Sequence, residues 1–357
     1  MRGADLASRV HGGSAPTGLL DFSSPSNPLG QPSELIELIE ECVRERAYAS
    51  YPTRMYRELY ESLSSYLGVS PQSILPLNGA SEALQLTPLA LKAKSIVVVE
   101  PNFGDHELLA RGVGIKLQRF LLKEEGKRFT LDVDALISDI IKASKPSVLI
   151  LSRPNNPTGR LASLNEIDDI SSRIPPHVAF IVDEAFIDLS KAAPLPERED
   201  LVVIRSLTKA FSTPGLRLGA VITSNRNILG RLEAAAQPWP VDSITACAFS
   251  RFLKTASARE HVRLGAQLAA SELARLTAEL RSTGITVYDS SAPFVLVRHD
   301  VRPNPGFVRE LQRRGIYARD CSSFFGLGPS YTRLSVKLPE ENSVLLNVIK
   351  EVVSVRD

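Results

Sequence analysis

The chain has 357 residues, enough for one large core with a smaller one beside it. Its hydrophobic fraction of 43% and charged fraction of 23% are those of a soluble globular protein, and 42 basic against 40 acidic residues leave a net charge of +2. That balance excludes an electrostatic case for nucleic acid or an anionic membrane as partner, and no apolar run reaches membrane-spanning length.

Residues 1–30 are rich in Gly, Ser and Pro, lack the apolar stretch of a signal peptide, and read as an arm. Cys42, Cys247 and Cys321 lie far apart with no C-x-x-C pair, so neither a disulfide framework nor a zinc site is expected, and a reducing cytoplasm fits. Asn78-Gly79-Ala80-Ser81-Glu82 precedes a helix expected to begin near Ser81. Free amides at such a helix start can cradle a phosphate, and ordinary N-capping by Ser81 explains the same residues.

The β-branched runs Ser95–Val99, Ser147–Leu151, Val178–Val182, Leu201–Ile204 and Gly219–Thr223 lack polar alternation. Strands buried on both faces of a mostly parallel sheet have this pattern. Between them, the amphipathic stretch Asp132–Ala143 predicts a helix, and Ser163-Leu164-Asn165-Glu166 reads as a capping box opening another. Strands alternating with helices predict an α/β domain over residues 31–240. Beyond it, Ser257-Ala258-Arg259-Glu260 is expected to cap a long helix reaching about Arg281. Short strands near Ile285–Tyr288, Pro293–Arg298 and Tyr331–Lys337, with helices near Gly306–Arg314 and from Glu340 onward, predict a smaller α+β domain over residues 241–357.

Polar residues follow the carboxyl ends of four of these strands. Val99 leads to Glu100-Pro101-Asn102-Phe103, Leu151 to a turn containing Asn156-Pro157-Thr158-Gly159, Val182 to Asp183-Glu184-Ala185-Phe186, and Ile204 to a segment containing Ser206, Thr208, Lys209 and Arg217. Ligands of open α/β sheets bind outside the carboxyl ends of the strands, so the four segments are expected to converge. A lysine amine can form an imine with an aldehyde, while neighbouring hydroxyls and a guanidinium hold a phosphate. An aldehyde and a phosphate on one molecule describe pyridoxal 5'-phosphate. Asp183 would face its pyridine nitrogen, Asn156 its phenolic oxygen and Phe103 its ring face. Each residue also has a plainer use: Asp183 as a helix cap, Asn156 as a turn former, Phe103 in the core. A dinucleotide loop is not supported, since Gly112-Val113-Gly114 lacks the third glycine.

N-P-T-G, then D-E-A-F, then S-L-T-K with Arg217 downstream resembles the fold-type I pyridoxal-phosphate enzymes of the class I/II aminotransferase superfamily. The resemblance spans His11 to about Lys337. It implies a large α/β domain with a mostly parallel sheet, a smaller α+β domain, and pyridoxal 5'-phosphate as cofactor. Lys209 would carry the cofactor's imine, and Asp183 would pair with the ring nitrogen. Asn156 and Phe103 would contact the ring, while Ala80, Ser81, Ser206, Thr208 and Arg217 would hold the phosphate. Tyr51, in Tyr51-Pro52, matches a tyrosine that reaches the partner subunit's phosphate, which implies a homodimer.

Within the superfamily the histidinol-phosphate aminotransferases and the threonine-phosphate decarboxylases of cobalamin synthesis look most alike to this chain. His11-Gly12-Gly13, Asn27-Pro28-Leu29-Gly30, Phe186 where transaminases commonly carry tyrosine, and Pro238-Trp239-Pro240-Val241 resemble the decarboxylases. That likeness implies release of carbon dioxide from L-threonine O-3-phosphate, giving 1-amino-2-propanol phosphate, with transamination as the alternative. His11, Gly12, Asn27, Asn156, Arg319 and Arg333 would then bind a small phosphorylated amino acid. The cradle Gly79-Ala80-Ser81-Glu82 and the segment Ser24-Pro25-Ser26 depart from the decarboxylase pattern. A non-catalytic pyridoxal-binding regulator is a further possibility, but the arm is too short and too poor in basic residues for a DNA-binding module.

Overall fold

The computed structural model describes residues 12–299 and 303–354. After a short strand β1 (Leu20–Asp21), helices α1 (Ser33–Arg44) and α2 (Thr53–Leu67) lead into β2 (Ile74–Asn78), α3 (Gly79–Ala90), β3 (Ser95–Glu100), α4 (His106–Val113) and β4 (Lys116–Leu121). A hairpin of β5 (Lys123–Glu125) and β6 (Arg128–Thr130) precedes α5 (Val133–Ile141), β7 (Ser147–Ser152), α6 (Leu164–Arg173), β8 (Val178–Asp183) and β9 (Leu201–Ser206). The short helix α7 (Leu207–Ala210), β10 (Leu218–Ile222), α8 (Arg226–Ala235) and α9 (Ser243–Phe252) follow.

These strands form a seven-stranded sheet of order β2-β10-β9-β8-β7-β3-β4. It is parallel from β9 to β4, whereas β10 runs antiparallel to both β9 and β2. The uninterrupted apolar runs are needed because both faces are covered. Ile96, Val98, Ile150, Ile181 and Val202 pack in one cluster with Leu84 of α3 and Leu229 of α8. Their alternate neighbours Val97, Val99, Leu149, Phe180 and Val203 pack in another with residues of α2, α5, α6 and α9. The two faces thus divide each strand by its period of two.

At the site edge, the sequence becomes polar where the apolar cover ends. Glu100, Ser152, Asp183 and Ser206 are the last residues of β3, β7, β8 and β9, and Ser152 stands opposite Asp183 in the ladder. Asp132 caps α5 by accepting from Ala135 N at 3.0 Å, and Ser163 and Glu166 form both halves of the capping box of α6.

The long helix α10 (Ala256–Ser282) crosses to a second core. There, β11 (Thr286–Val287), β12 (Phe294–Arg298), β14 (Arg319–Asp320) and β15 (Tyr331–Ser335) form an antiparallel four-stranded sheet of order β11-β12-β15-β14. It is packed with α11 (Gly306–Arg313) and α12 (Pro339–Ser354). The arm joins this unit: β1 pairs in parallel with β13 (Ile316–Tyr317), and Phe22 is fully buried in the second core.

Three expectations are corrected. Helix α10 starts behind Thr255, and Ser257 gives its hydroxyl to Glu34 instead of capping, because α1 packs beside that turn. Helix α9 belongs to the first core against α1 and α2, so the change of packing partner falls along α10 and not at residue 241. Cys42 of α1 and Cys247 of α9 are joined by a disulfide with Cα atoms 6.1 Å apart. Their separation of 205 residues hid a contact made by helix packing, and the cysteine argument for a reducing compartment falls with it.

Candidate active site

The strand ends, the start of α3, the arm and β15 enclose a cavity of about 260 Å³. Lys209, Asp183, Asn156, Phe103 and Arg217 all line it, as do Ala80, Ser81, Ser206 and Thr208. Convergence predicted from strand direction alone is therefore met in space.

Lys209 sits in α7, which begins directly at the end of β9. Burial, reinforced by the cations of Arg333 and Arg217, lowers its ammonium to about 8, which makes a free amine easier to reach than for an exposed lysine. Its Nζ lies 5.9 Å from the centroid of the Phe186 ring. Asp183, 5% exposed, accepts from Ala185 N through Oδ1 at 3.1 Å, and Oδ2 has no protein donor among the described residues. Burial raises its carboxyl to about 6, which a cationic ligand atom facing Oδ2 would reverse.

The opposite end of the cavity is built for an anion. Arg217 adopts a left-handed backbone conformation with φ of 53° and lays its guanidinium on Gly79, itself at φ of 75°. A Cβ at Gly79 would stand 2.5 Å from Nη2, so a larger residue there would push the guanidinium from this place and strain a backbone at positive φ. A Cβ at Gly219 would stand 2.6 Å from Ala80 N, which shows how closely β10 backs the helix start. The amides of the first turn of α3 have no intrahelical acceptor and carry the positive end of the helix dipole. Ser206 and Thr208 bring hydroxyls 2.8 Å apart to the same place. Two hydroxyls, a guanidinium and a helix N-terminus fit a phosphate.

Asn156 lines the cavity and accepts from Arg333 Nη1 through Oδ1, a bond that does not use its amide N–H groups. Arg333 also donates from Nη2 to Ser23 O at 2.5 Å, and its buried Nε has no partner among the described residues. Burial lowers this guanidinium to about 10, so it is a cation held out of water beside the site. Phe103 is held by its N–H to Asn102 Oδ1 at 2.8 Å, and Asn102 in turn accepts from Ser152 at 2.6 Å.

Three of the expected residues stand elsewhere. Asn27 donates to Ala210 O at 2.9 Å, accepts from Leu29 N at 3.0 Å, and donates its own N–H to Lys209 O at 3.0 Å. It ties the arm to the lysine turn and does not line the cavity. Arg319 faces Arg333 across β14 and β15 but donates to Ser323 Oγ at 2.9 Å and lies over Phe324, outside the lining. Tyr51 is 76% exposed and stacks on Trp239 with ring centroids 4.4 Å apart, away from this chain's own cavity. Gly12 does line the cavity, with Ser23 O where a Cβ would go, whereas His11 lies outside the described residues.

The sequence reading missed His106, which lines the cavity a short way past Phe103. Its Nε2 lies 3.2 Å from Phe103 O, and burial lowers it to about 4, so the ring is neutral. Gly104 at φ of 138° gives it room, since a Cβ there would stand 2.4 Å from Nε2. A titratable residue just after a strand-end segment was the available signal.

Comparison with known proteins shows the family and the fold. The model of the family "aminotransferase class I and II" matches residues 12–349. A putative threonine-phosphate decarboxylase of Caldanaerobacter subterraneus is 32% identical, over 91% of this chain and 88% of its own. A histidinol-phosphate aminotransferase of Thermoanaerobacter pseudethanolicus is also 32% identical, over 91% and 90%. The crystal structure of the histidinol-phosphate aminotransferase from Clostridium acetobutylicum superposes with a TM-score of 0.84 at 28% identity, covering 94% of this chain and 99% of that one. The α/β architecture is the one these proteins share, and pyridoxal 5'-phosphate is the cofactor.

Proposed function

The chain belongs to the aminotransferase class I and II family, and on that premise we propose that it decarboxylates L-threonine O-3-phosphate to 1-amino-2-propanol O-2-phosphate, a step of cobalamin biosynthesis. When bound, pyridoxal phosphate supplies a ring that accepts the electron pair of whichever substrate Cα bond breaks. Asp183 would hold a proton at the ring nitrogen, which would keep that ring electron-poor. Asn156 would donate to the phenolic oxygen, Phe103 would cover one ring face, and the Arg217 cradle would hold the phosphate. Lys209 would hold the cofactor through its Nζ, and the same Nζ would deliver the proton that replaces the departing carboxylate at the substrate Cα. Arg333, with Gly12 and the backbone of the arm, grips an anionic end of the substrate and so decides which Cα bond lies perpendicular to the ring.

The observation that carries decarboxylation over transamination is Phe186. It is buried in the cavity wall beside Lys209 and packs edge-on against Phe294 at 5.2 Å. Where the resemblance puts a tyrosine in transaminases, this ring offers no hydroxyl to the phenolic oxygen. Transamination of histidinol phosphate is the second reading, favoured by the Thermoanaerobacter relative of equal identity. We place the active form as a homodimer, in which the exposed Tyr51 reaches the partner's phosphate cradle. No helix among the described residues is long and apolar enough to cross a membrane.

The test is incubation of pure holoenzyme with threonine phosphate and no keto acid. The proposal expects carbon dioxide in many turnovers with no conversion of the cofactor to its amine form. Turnover only with histidinol phosphate plus 2-oxoglutarate would reject it.

A further inference from the structure

The β5–β6 hairpin is an excursion from the large sheet that the cofactor site does not use. It turns at Gly126, with φ of 63°, and leans on the small domain. Phe129 of β6 is buried against Tyr288 with ring centroids 5.0 Å apart. Arg128 pairs with Asp289 at 2.8 Å, and Asp289 N donates to Lys127 O at 2.9 Å.

At the base of this contact, Glu124 accepts donors from three neighbouring stretches of the small domain, after β11, on β12 and on β15. Tyr288 Oη and Arg298 Nη1 donate to its Oε1 at 2.6 and 2.7 Å, and Tyr331 Oη donates to its Oε2 at 2.6 Å. Arg298 and Tyr331 are directly opposite in the β12–β15 ladder, so one carboxylate grips both strands at a single rung. Tyr331 and Arg333 then share a face of β15, because side chains alternate along a strand. That face meets the large domain twice: at Glu124 through Tyr331, and at Asn156 through Arg333.

We propose that Glu124 is a positioning residue for substrate binding: by anchoring the Tyr331 end of β15 to the large domain, it sets the place of the Arg333 guanidinium in the cavity. Arg333 needs such support. Its cationic head is buried, its strand belongs to one core and its partner Asn156 to the other, and a small rotation between the cores moves it relative to the ring site. A carboxylate with three donors, one of them charged, is a strong tether for its size. The inference rests on the reading of Arg333 as the group that grips the substrate's anionic end.

The test compares Glu124→Ala, Glu124→Gln, Tyr331→Phe and Arg333→Ala holoenzymes. The kinetics use O-phospho-L-threonine or, if only that pair turns over, histidinol phosphate with 2-oxoglutarate. Glu124→Ala is expected to raise KM about tenfold while kcat stays within about twofold and the cofactor absorbance is unchanged. Glu124→Gln, which keeps an acceptor and loses the charge, falls between. Tyr331→Phe reproduces part of the effect and adds nothing in the Glu124→Ala background. Should Glu124→Ala fail to fold, Glu124→Gln and Tyr331→Phe carry the comparison. A KM unchanged by these variants when Arg333→Ala raises it would overturn the tether and leave the reading of Arg333 standing. A fall in kcat with unchanged KM would mark a merely structural role and overturn it equally. If Arg333→Ala itself leaves KM untouched, the functional reading fails and the tether with it.

Discussion

The cavity has two unlike walls. One is the carboxyl edge of a single parallel sheet, where Asp183, Ser206 and Lys209 stand at or just past consecutive strand ends fixed by backbone ladders. The other is a composite of the arm, the 156 turn and β15, held by side chains: Arg333 to Asn156, Arg333 to Ser23 O, and Ser335 Oγ to Phe22 O at 2.8 Å. The first wall suits a tightly held cofactor, since its geometry follows from core packing. The second joins three stretches of chain across two cores, and it is the wall that we propose meets the substrate. On the proposed reading, cofactor and substrate meet walls held by different means, a rigid backbone ladder on one side and side-chain bonds on the other.

The sharpest way to break that division is Lys209→Ala, expected to cut turnover by at least about 10³-fold with any substrate. Retained turnover would mean that the rigid wall does not carry the chemistry. Next, Arg333→Gln is expected to lower kcat/KM by about 10²-fold while cofactor uptake, followed by absorbance, is unaffected. Loss of cofactor in this variant would merge the two walls into one.

A smaller effect concerns cofactor-free protein. Burial raises the Asp183 carboxyl to about 6 from 3.8. As pH rises from about 4 to 6, the unfolded chain releases this proton before the folded one does. Folded protein therefore loses stability across that window. Asp183→Asn should flatten that part of the pH profile of Tm, and an unchanged slope would remove the carboxyl from the buried wall. The smallest expected effect is that of Tyr51→Phe, about fivefold weaker cofactor binding measured by equilibrium titration. No change would leave the exposed Tyr51–Trp239 stack without a part in a partner's site.

The rigid wall was also the legible one. Strands β3, β7, β8 and β9 are buried on both faces, so their apolar runs and polar ends stood out, and the site residues followed from direction alone. The two edge strands escaped. β2 carries Pro76, which an edge tolerates, and β4 has half-buried, mixed residues. Substrate-wall residues were only partly legible, because their roles depend on which core they join. Asn27 and Arg319 have the right chemistry for an anion but spend it on Ala210 O, Leu29 N and Ser323. The Cys42–Cys247 contact and the Glu124 cluster are products of tertiary packing, with no spacing in the chain to announce them.

The central claim is that one ε-amine, on the turn after β9, binds the cofactor. Borohydride reduction of the holoenzyme followed by peptide mapping tests it directly. A pyridoxyl group on Lys209 alone is the predicted result; a label on any other lysine, with Lys209 unmodified, would contradict it.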